Sequence, residues 1–389
     1  MLLFTVIVHF FADMATSIFQ PLGPYLTEVF SVSNRTYAMT LYSINLTSSL
    51  VQPFFGVVSD RISSRNLYLT VVLAFNFLAA YSISVVKSFP LFVVFAFITY
   101  LANSAFHPLG AVMATSRNKK DLAYFTLSGM FGFAMGPVFI TWYAQNYNLK
   151  GLEWFGVGLA TLVILTIPRM KFLNVQRRKP PKLSLRGFSI LLPIFLYVAF
   201  RSASMGMAQV YGPMYAKLSG LSLVIGGSML TITRFVGMAL AYSGVHIGEV
   251  IGNAYINLFS GVLMAGAGFV FSMIDFSYVV HPWSILNLSR DVTFPFLFLF
   301  VSMLAPAYFS MSSTTVEAQK KLPENAAFAS SVSMGLGWSI GSLMSLVYSS
   351  VFGNDVLFMV RSIWVFAALS ALFALWDVLR ERTSKAQQL

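Results

Sequence analysis

Cysteine is absent from the 389 residues, so neither a disulfide nor a thiolate metal site is available, and the redox compartment is left open. Charge is nearly as scarce. Only 10% of the residues are Asp, Glu, Lys or Arg, and only 13 are acidic, far too few to cover the surface of a soluble chain of this length. The four histidines, His9, His107, His246 and His281, are scattered, and no His-Glu-x-x-His or phosphate-binding Walker sequence occurs. Metal-assisted and nucleotide-driven hydrolysis therefore have no motif to rest on. Neither a metal site nor a cofactor is expected.

What fills the chain is apolar: 57% of it is hydrophobic, with 38 Phe and a mean hydropathy of +0.75. A crossing needs ~20 apolar residues, so there is room for about twelve helices joined by short loops. Long apolar runs, rather than alternating ten-residue segments, exclude a membrane β-barrel. The predicted crossings are 2–27, 37–58, 67–86, 90–115, 123–146 and 152–168, then 188–215, 222–244, 254–274, 292–316, 325–351 and 356–378. The first begins without a basic leader and is interrupted by Asp13, which argues against a cleaved signal peptide. A native start further upstream is left open.

The net charge of +12 does not call for nucleic acid as a partner, because it is unevenly placed. With the N-terminus in the cytoplasm, 17 of the 25 Lys and Arg fall in the inner loops and C-terminal tail and five in the outer loops. That bias predicts both termini inside a cell membrane. The largest basic run is Arg169 to Gly187, with seven Lys or Arg and no acid. It predicts a cytoplasmic linker, 169–187, between a bundle over 1–168 and another over 188–389.

The two bundles look like copies. A shift of 189 residues superposes Phe11, Gln20, Gly23 and Pro24 on Phe200, Gln209, Gly212 and Pro213, and a shift of 188 brings Gly56 onto Gly244. Later a shift of 203 pairs Ala102 with Ala305, Phe106 with Phe309, Asp121 with Glu324 and Gly132 with Gly335. The expected fold is thus all-α, with twelve transmembrane helices in two pseudo-symmetric six-helix bundles.

Six plus six helices around a basic loop resembles the major facilitator superfamily, and Gly56-Val57-Val58-Ser59-Asp60-Arg61-Ile62-Ser63-Ser64-Arg65 resembles its G-x-x-x-D-R-x-x-x-R signature. In that family the acid and arginines of this loop latch neighbouring helix ends. The equivalent loop, Gly244 to Asn253, lacks the Asp-Arg pair, so a latch here is one-sided. His9-Phe10-Phe11-Ala12-Asp13, Pro21-Leu22-Gly23-Pro24-Tyr25-Leu26 and Phe106-His107-Pro108-Leu109-Gly110 resemble the fosmidomycin-resistance branch, whose members are proton-driven drug exporters. Gly132-x-x-x-Gly136-Pro137 is similar to the core of an antiporter signature, though Ile140-Thr141 replaces its usual double glycine. A Gly-x-x-x-Gly pair is also a common packing device.

Asp13 is the strongest chemical signal, since an acid at mid-helix costs several kcal/mol in lipid and needs a cavity or a partner. It is a candidate proton carrier; a structural ion pair is the alternative. His9, one turn away, and His107, before the helix-breaking Pro108, are candidates for a relay with it, or for hydrogen bonds to loose backbone carbonyls. Arg201 lies mid-way along the seventh helix. By resemblance, helices one, four, seven and ten line a central cavity, where Arg201 would be an anion site or a counter-ion for Asp13. Arg234 shares this reading, and the paired amides Gln20 and Gln209 are substrate contacts or interhelical hydrogen bonds. Glu317, Lys320 and Lys321 read as a solvated helix end.

These readings predict a proton-coupled secondary transporter, acting as a monomer in the lipid bilayer, that exports a small amphiphilic or anionic compound by alternating access. Proton-coupled uptake of an organic anion uses the same residues. An integral-membrane enzyme is the competing class, and it lacks a polar cluster to support it.

Overall fold

The computed structural model describes residues 2–62, 64–114, 121–169, 185–274, 276 and 292–386. The linker residues 170–184, and the loop residues 277–291 with His281 and Arg290, lie outside them. Helices follow one another without a strand among the described residues. The first part of the chain forms α1 (Leu2–Ser17), α2 (Gly23–Val29), α3 (Asn34–Arg61), α4 (Arg65–Tyr81), α5 (Phe89–Ala114), α6 (Asp121–Tyr147) and α7 (Leu152–Thr166). Then come α8 (Leu185–Leu218), α9 (Leu223–Ile251), α10 (Asn253–Met273), α11 (Thr293–Leu304), α12 (Pro306–Phe309), α13 (Met311–Lys321), α14 (Ala326–Ser330), α15 (Gly337–Phe352) and α16 (Val356–Ala386).

Among the described residues eleven stretches are long and apolar enough to cross a membrane, with α1–α2 and α11–α13 each making one broken crossing. The twelfth is α3. Its 28 residues span about 42 Å at 1.5 Å per residue, but Asn34, Arg35, Asn45, Gln52 and a series of Ser and Thr make it less apolar than the others. The predicted fold, twelve helices in a multi-pass membrane protein, is the observed one. Helices are obligatory here, because backbone groups in hydrocarbon must pair within their own segment.

By contacts, the described residues of 1–32 and 47–179 form one compact unit, and those of 33–46 and 180–389 another. Residues 33–46, the first half of α3, join the second unit through Tyr42 donating to the Gly206 carbonyl (3.2 Å) and Asn45 donating to Ser342 Oγ (2.9 Å).

Breaks in the helices follow the prolines. Between α1 and α2 the chain makes a 3-10 turn at Gln20–Leu22, where Pro21 and Pro24 both lack the N–H that an α-helix needs. The equivalent stretch of α8 keeps Pro213 but has Val210 in place of Pro21, and it runs on unbroken. Pro306 opens the break between α11 and α13, which ends at Ser310. A π-helical turn at Ser331–Leu336 precedes α15.

Within each unit, small residues bring the fifth crossing onto the first. A Cβ at Gly132 of α6 would overlap the Phe10 carbonyl, and one at Gly136 would overlap Ser17. In the second unit Gly341 of α15 meets the Ala199 carbonyl and Ser202. Phe10 and Ala199 are themselves 189 residues apart, so the packing counterpart of Gly132 is Gly341. At Gly335, paired with it by the constant shift of 203, an added Cβ would meet no neighbouring element within 4 Å. The shift has grown to 209 there, across the stretch that holds the π-turn.

Gly132→Leu should therefore lower stability by about 1–3 kcal/mol by forcing α1 and α6 apart. Thermal unfolding in detergent would register this as a lower apparent Tm, whereas Gly158→Leu, where a Cβ meets open space, should leave it unchanged.

Candidate functional site

His9, Asp13 and His107 converge in the first unit. One helical turn separates His9 from Asp13 on α1, so both side chains share a face. His9 Nε2 lies 3.2 Å from Asp13 Oδ2, His107 Nε2 of α5 lies 3.3 Å from Asp13 Oδ1, and the two Nε2 atoms are 3.3 Å apart. Asn103, one turn before His107, donates its amide to Asp13 Oδ1 at 3.1 Å. Phe125 stacks on the His9 ring with centroids 3.7 Å apart, and Gly129 of α6 leaves the space: a Cβ there would overlap both His9 and Asp13.

The hydrogen bonds define the tautomers. His9 Nδ1 meets the Phe125 carbonyl at 2.7 Å, and His107 Nδ1 meets the Asn103 carbonyl at 2.8 Å. A carbonyl only accepts, so each Nδ1 carries the hydrogen and, in a neutral ring, each Nε2 presents a lone pair. Two lone pairs and a carboxylate then face one another. With no proton the cluster is three acceptors; one proton gives an Nε2–H that donates to Asp13, and a second lets each ring donate to its own carboxylate oxygen. The geometry suits one or two protons. The three groups also have atoms within 4.8 Å of one another and types able to ligate a metal ion.

In the second unit Arg201 of α8 is 1% exposed. Its Nη1 donates to Ser310 Oγ at 2.6 Å and Thr314 Oγ1 at 3.4 Å, and its guanidinium lies over the Tyr197 ring, 5.3 Å from the centroid. Neither a carboxylate within ion-pair distance nor a partner for its Nε is found among the described residues. The break after α12 places Ser310 beside it. Arg234 of α9 and Gln209 of α8 come together, with Arg234 Nη2 donating to Gln209 Oε1 at 3.2 Å. Gln20 donates instead to the Tyr100 hydroxyl at 3.2 Å, so the symmetry-related glutamines hold unlike partners.

A family model described as the Major Facilitator Superfamily matches residues 5–346. The chain belongs to the major facilitator superfamily. This facilitator is 22% identical over 385 residues to the fosmidomycin resistance protein of Escherichia coli (strain K12), across 95% of this chain and 90% of that protein. It is 27% identical over 297 residues to the uncharacterized MFS-type transporter YfiU of Bacillus subtilis (strain 168), across 70% of this chain and 55% of that protein. Among solved structures, a D-xylose-proton symporter has a TM-score of 0.75 at 12% identity, covering 97% of this chain and 96% of that one. The nucleoside transporter NupG has a TM-score of 0.74 at 14% identity, covering 97% and 98%. These structural likenesses establish the fold. The facilitator is a transporter of the membrane, not an enzyme.

The stretch Gly56–Arg65, which resembles the family's signature, spans the end of α3 and the start of α4. Gly56 faces Pro108 at 3.9 Å from an added Cβ, Arg61 is exposed, and Arg65 opens α4. The side chain of Asp60, and Ser63, lie outside the described parts. Gly132 and Gly136 pack directly on α1, and Pro137 sits inside α6.

Glu317 departs from the expected solvated helix end. It is 6% exposed, and Lys321 lies 3.4 Å from it while also bonding Asp377 of α16 at 2.5 Å. Asp377, 3% exposed, lies in the last turn of the predicted crossing 356–378, and its partner is 56 residues away in sequence. It was missed, as were Asn103, Gly129, Tyr197, Ser310 and Thr314; only their spacing of one turn from a charged or histidine neighbour could have flagged Asn103 and Tyr197. Lys321→Met should destabilise the fold by ~3–5 kcal/mol by stranding two buried carboxylates. Adding Glu317→Gln and Asp377→Asn should recover most of the lost Tm in a thermal unfolding assay.

Proposed function

We propose that this facilitator is a proton-coupled secondary transporter that exports small amphiphilic or anionic compounds, with Asp13 carrying the proton and His9 and His107 sharing it. The observation that carries the reading is the meeting of two Nε2 lone pairs and a carboxylate, with no donor among them unless a proton is bound. Side-chain exposure rises from 4% at His9 through 16% at Asp13 to 30% at His107, so the cluster is most open at His107. Arg201 supports the anion part: a buried guanidinium whose partners among the described residues are hydroxyls and an aromatic ring keeps a fork of donors for a carboxylate-like or phosphonate-like group. Arg234 and Gln209 supply further polar contacts. The name of the Escherichia coli relative favours export of a drug.

In this reading the protein is a monomer in the cell membrane, with both termini in the cytoplasm. It alternates access in the manner of two-halved transporters. The loop carrying Asp60, Arg61 and Arg65 latches one gate, and Gly132, Gly136 and Pro137 keep α1 and α6 close as the halves move.

The test uses protein in liposomes loaded with a pH-sensitive dye, challenged with phosphonates, carboxylates and amphiphilic drugs. Compound-dependent proton movement is expected, and Asp13→Asn should reduce it at least tenfold while leaving downhill exchange of the compound. Full gradient-driven transport by Asp13→Asn would sink the proton assignment. Protons moving in the same direction as the compound would make the protein an uptake symporter. Arg201→Gln should raise the KM for anionic compounds about tenfold or more, the scale of one lost charge-assisted hydrogen bond, and spare neutral ones.

A further inference from the structure

The cluster of His9, Asp13 and His107 has a second capability that proton transfer leaves unused. Ligand atoms about 2.05 Å from a zinc-class ion in tetrahedral geometry lie about 3.3 Å from one another. The contacts here are 3.3 Å between the two Nε2 atoms, 3.2 Å from His9 Nε2 to Asp13 Oδ2 and 3.3 Å from His107 Nε2 to Asp13 Oδ1. The contact between the two ring nitrogens matches an edge of such a tetrahedron; the two carboxylate contacts end on different oxygens, Oδ2 for His9 and Oδ1 for His107, so the carboxylate faces both rings and straddles the third ligand position. The outer partners match as well. Metal-bound histidines ordinarily donate the other ring N–H to a carbonyl or carboxylate, and both Nδ1 atoms do so here, to Phe125 and Asn103. The Asn103 amide holds the carboxylate in the same way. His107 is the most exposed of the three, 30% at its side chain.

We infer that His9, Asp13 and His107 form a binding site for one divalent transition-metal ion of the zinc, cobalt or nickel class, with the fourth position open to water or to a ligand. Two imidazoles and one carboxylate suit those ions. Magnesium and calcium do not fit, since they demand six or more ligands drawn almost wholly from oxygen. The ion would sit where the lone pairs point, so it and the proton exclude one another, and a bound ion would arrest a proton-coupled cycle. That consequence rests on the function proposed above; binding of the ion does not.

Protein purified without a polyhistidine tag would be titrated with Co2+ and followed by visible absorption, and Zn2+ binding would be counted by equilibrium dialysis. One ion per chain is expected, with the intense bands of four-coordinate Co2+ bleached by Zn2+. Affinity should fall by about tenfold or more in His9→Gln, His107→Gln and Asp13→Asn, while His246→Gln, exposed on α9, should bind as the wild type does. Where a variant fails to fold, X-ray absorption of the Zn2+-loaded wild type replaces it, and two imidazoles in the metal shell are required. A weak six-coordinate spectrum, a shell without imidazole, or affinity untouched by the three substitutions would overturn the site. Zn2+ that binds as expected yet leaves proton movement in liposomes intact would count against the proton reading and not against the metal site.

Discussion

Two ring nitrogens and a carboxylate aimed at one point inside an apolar slab set the terms for the whole first unit. An acid near the bilayer centre costs about 2.5–3.5 kcal/mol on insertion scales. That cost is offset only if its partners are held at hydrogen-bond distance. Everything around Asp13 serves that end: α1 must lie close enough to α6 for Phe125 to meet His9, and Gly129, Gly132 and Gly136 remove the side chains that would prevent it. Pro108 weakens the helix ladder beside His107, where the Asn103 carbonyl also accepts from the imidazole.

The second unit repeats this scaffold with the opposite charge. Arg201 stands 188 residues after Asp13, within one position of its equivalent, and Ser310 stands 203 after His107. The first crossing therefore meets the fourth at the same level in both units, as acid against histidine in one and as guanidinium against hydroxyl in the other. The two units thus keep polar groups at corresponding places in their bundles with different chemistry.

Much of this was legible in the sequence because lipid imposes simple rules. Apolar length gave the crossings, rare polar residues within them marked Asp13, Arg201, Arg234 and the histidines, and helical spacing put His9 and Asp13 on one face. Contacts between helices were the less legible part. Whether Arg234 would meet Gln209, or Glu317 and Asp377 would share Lys321, depends on helix rotation and on residues tens of positions apart. The repeat register also failed beyond Glu324, where six further residues separate Glu324 from the packing counterpart of Gly132, a change that matching single residues does not reveal. Gly129 looked like any membrane glycine until the groups it accommodates were in place.

The polar character of α3 bears on how the protein is made. A segment carrying Asn34, Arg35, Asn45, Gln52 and many hydroxyls has little tendency to leave the translocon for lipid alone, since charged and amide groups oppose partitioning. Its first half pairs through Tyr42 and Asn45 with residues synthesised more than 150 positions later. During synthesis those two hydrogen bonds cannot form until the later helices have been translated. Insertion of the second crossing must then depend on its apolar neighbours α1 and α4, or on the insertion machinery, until the later helices arrive.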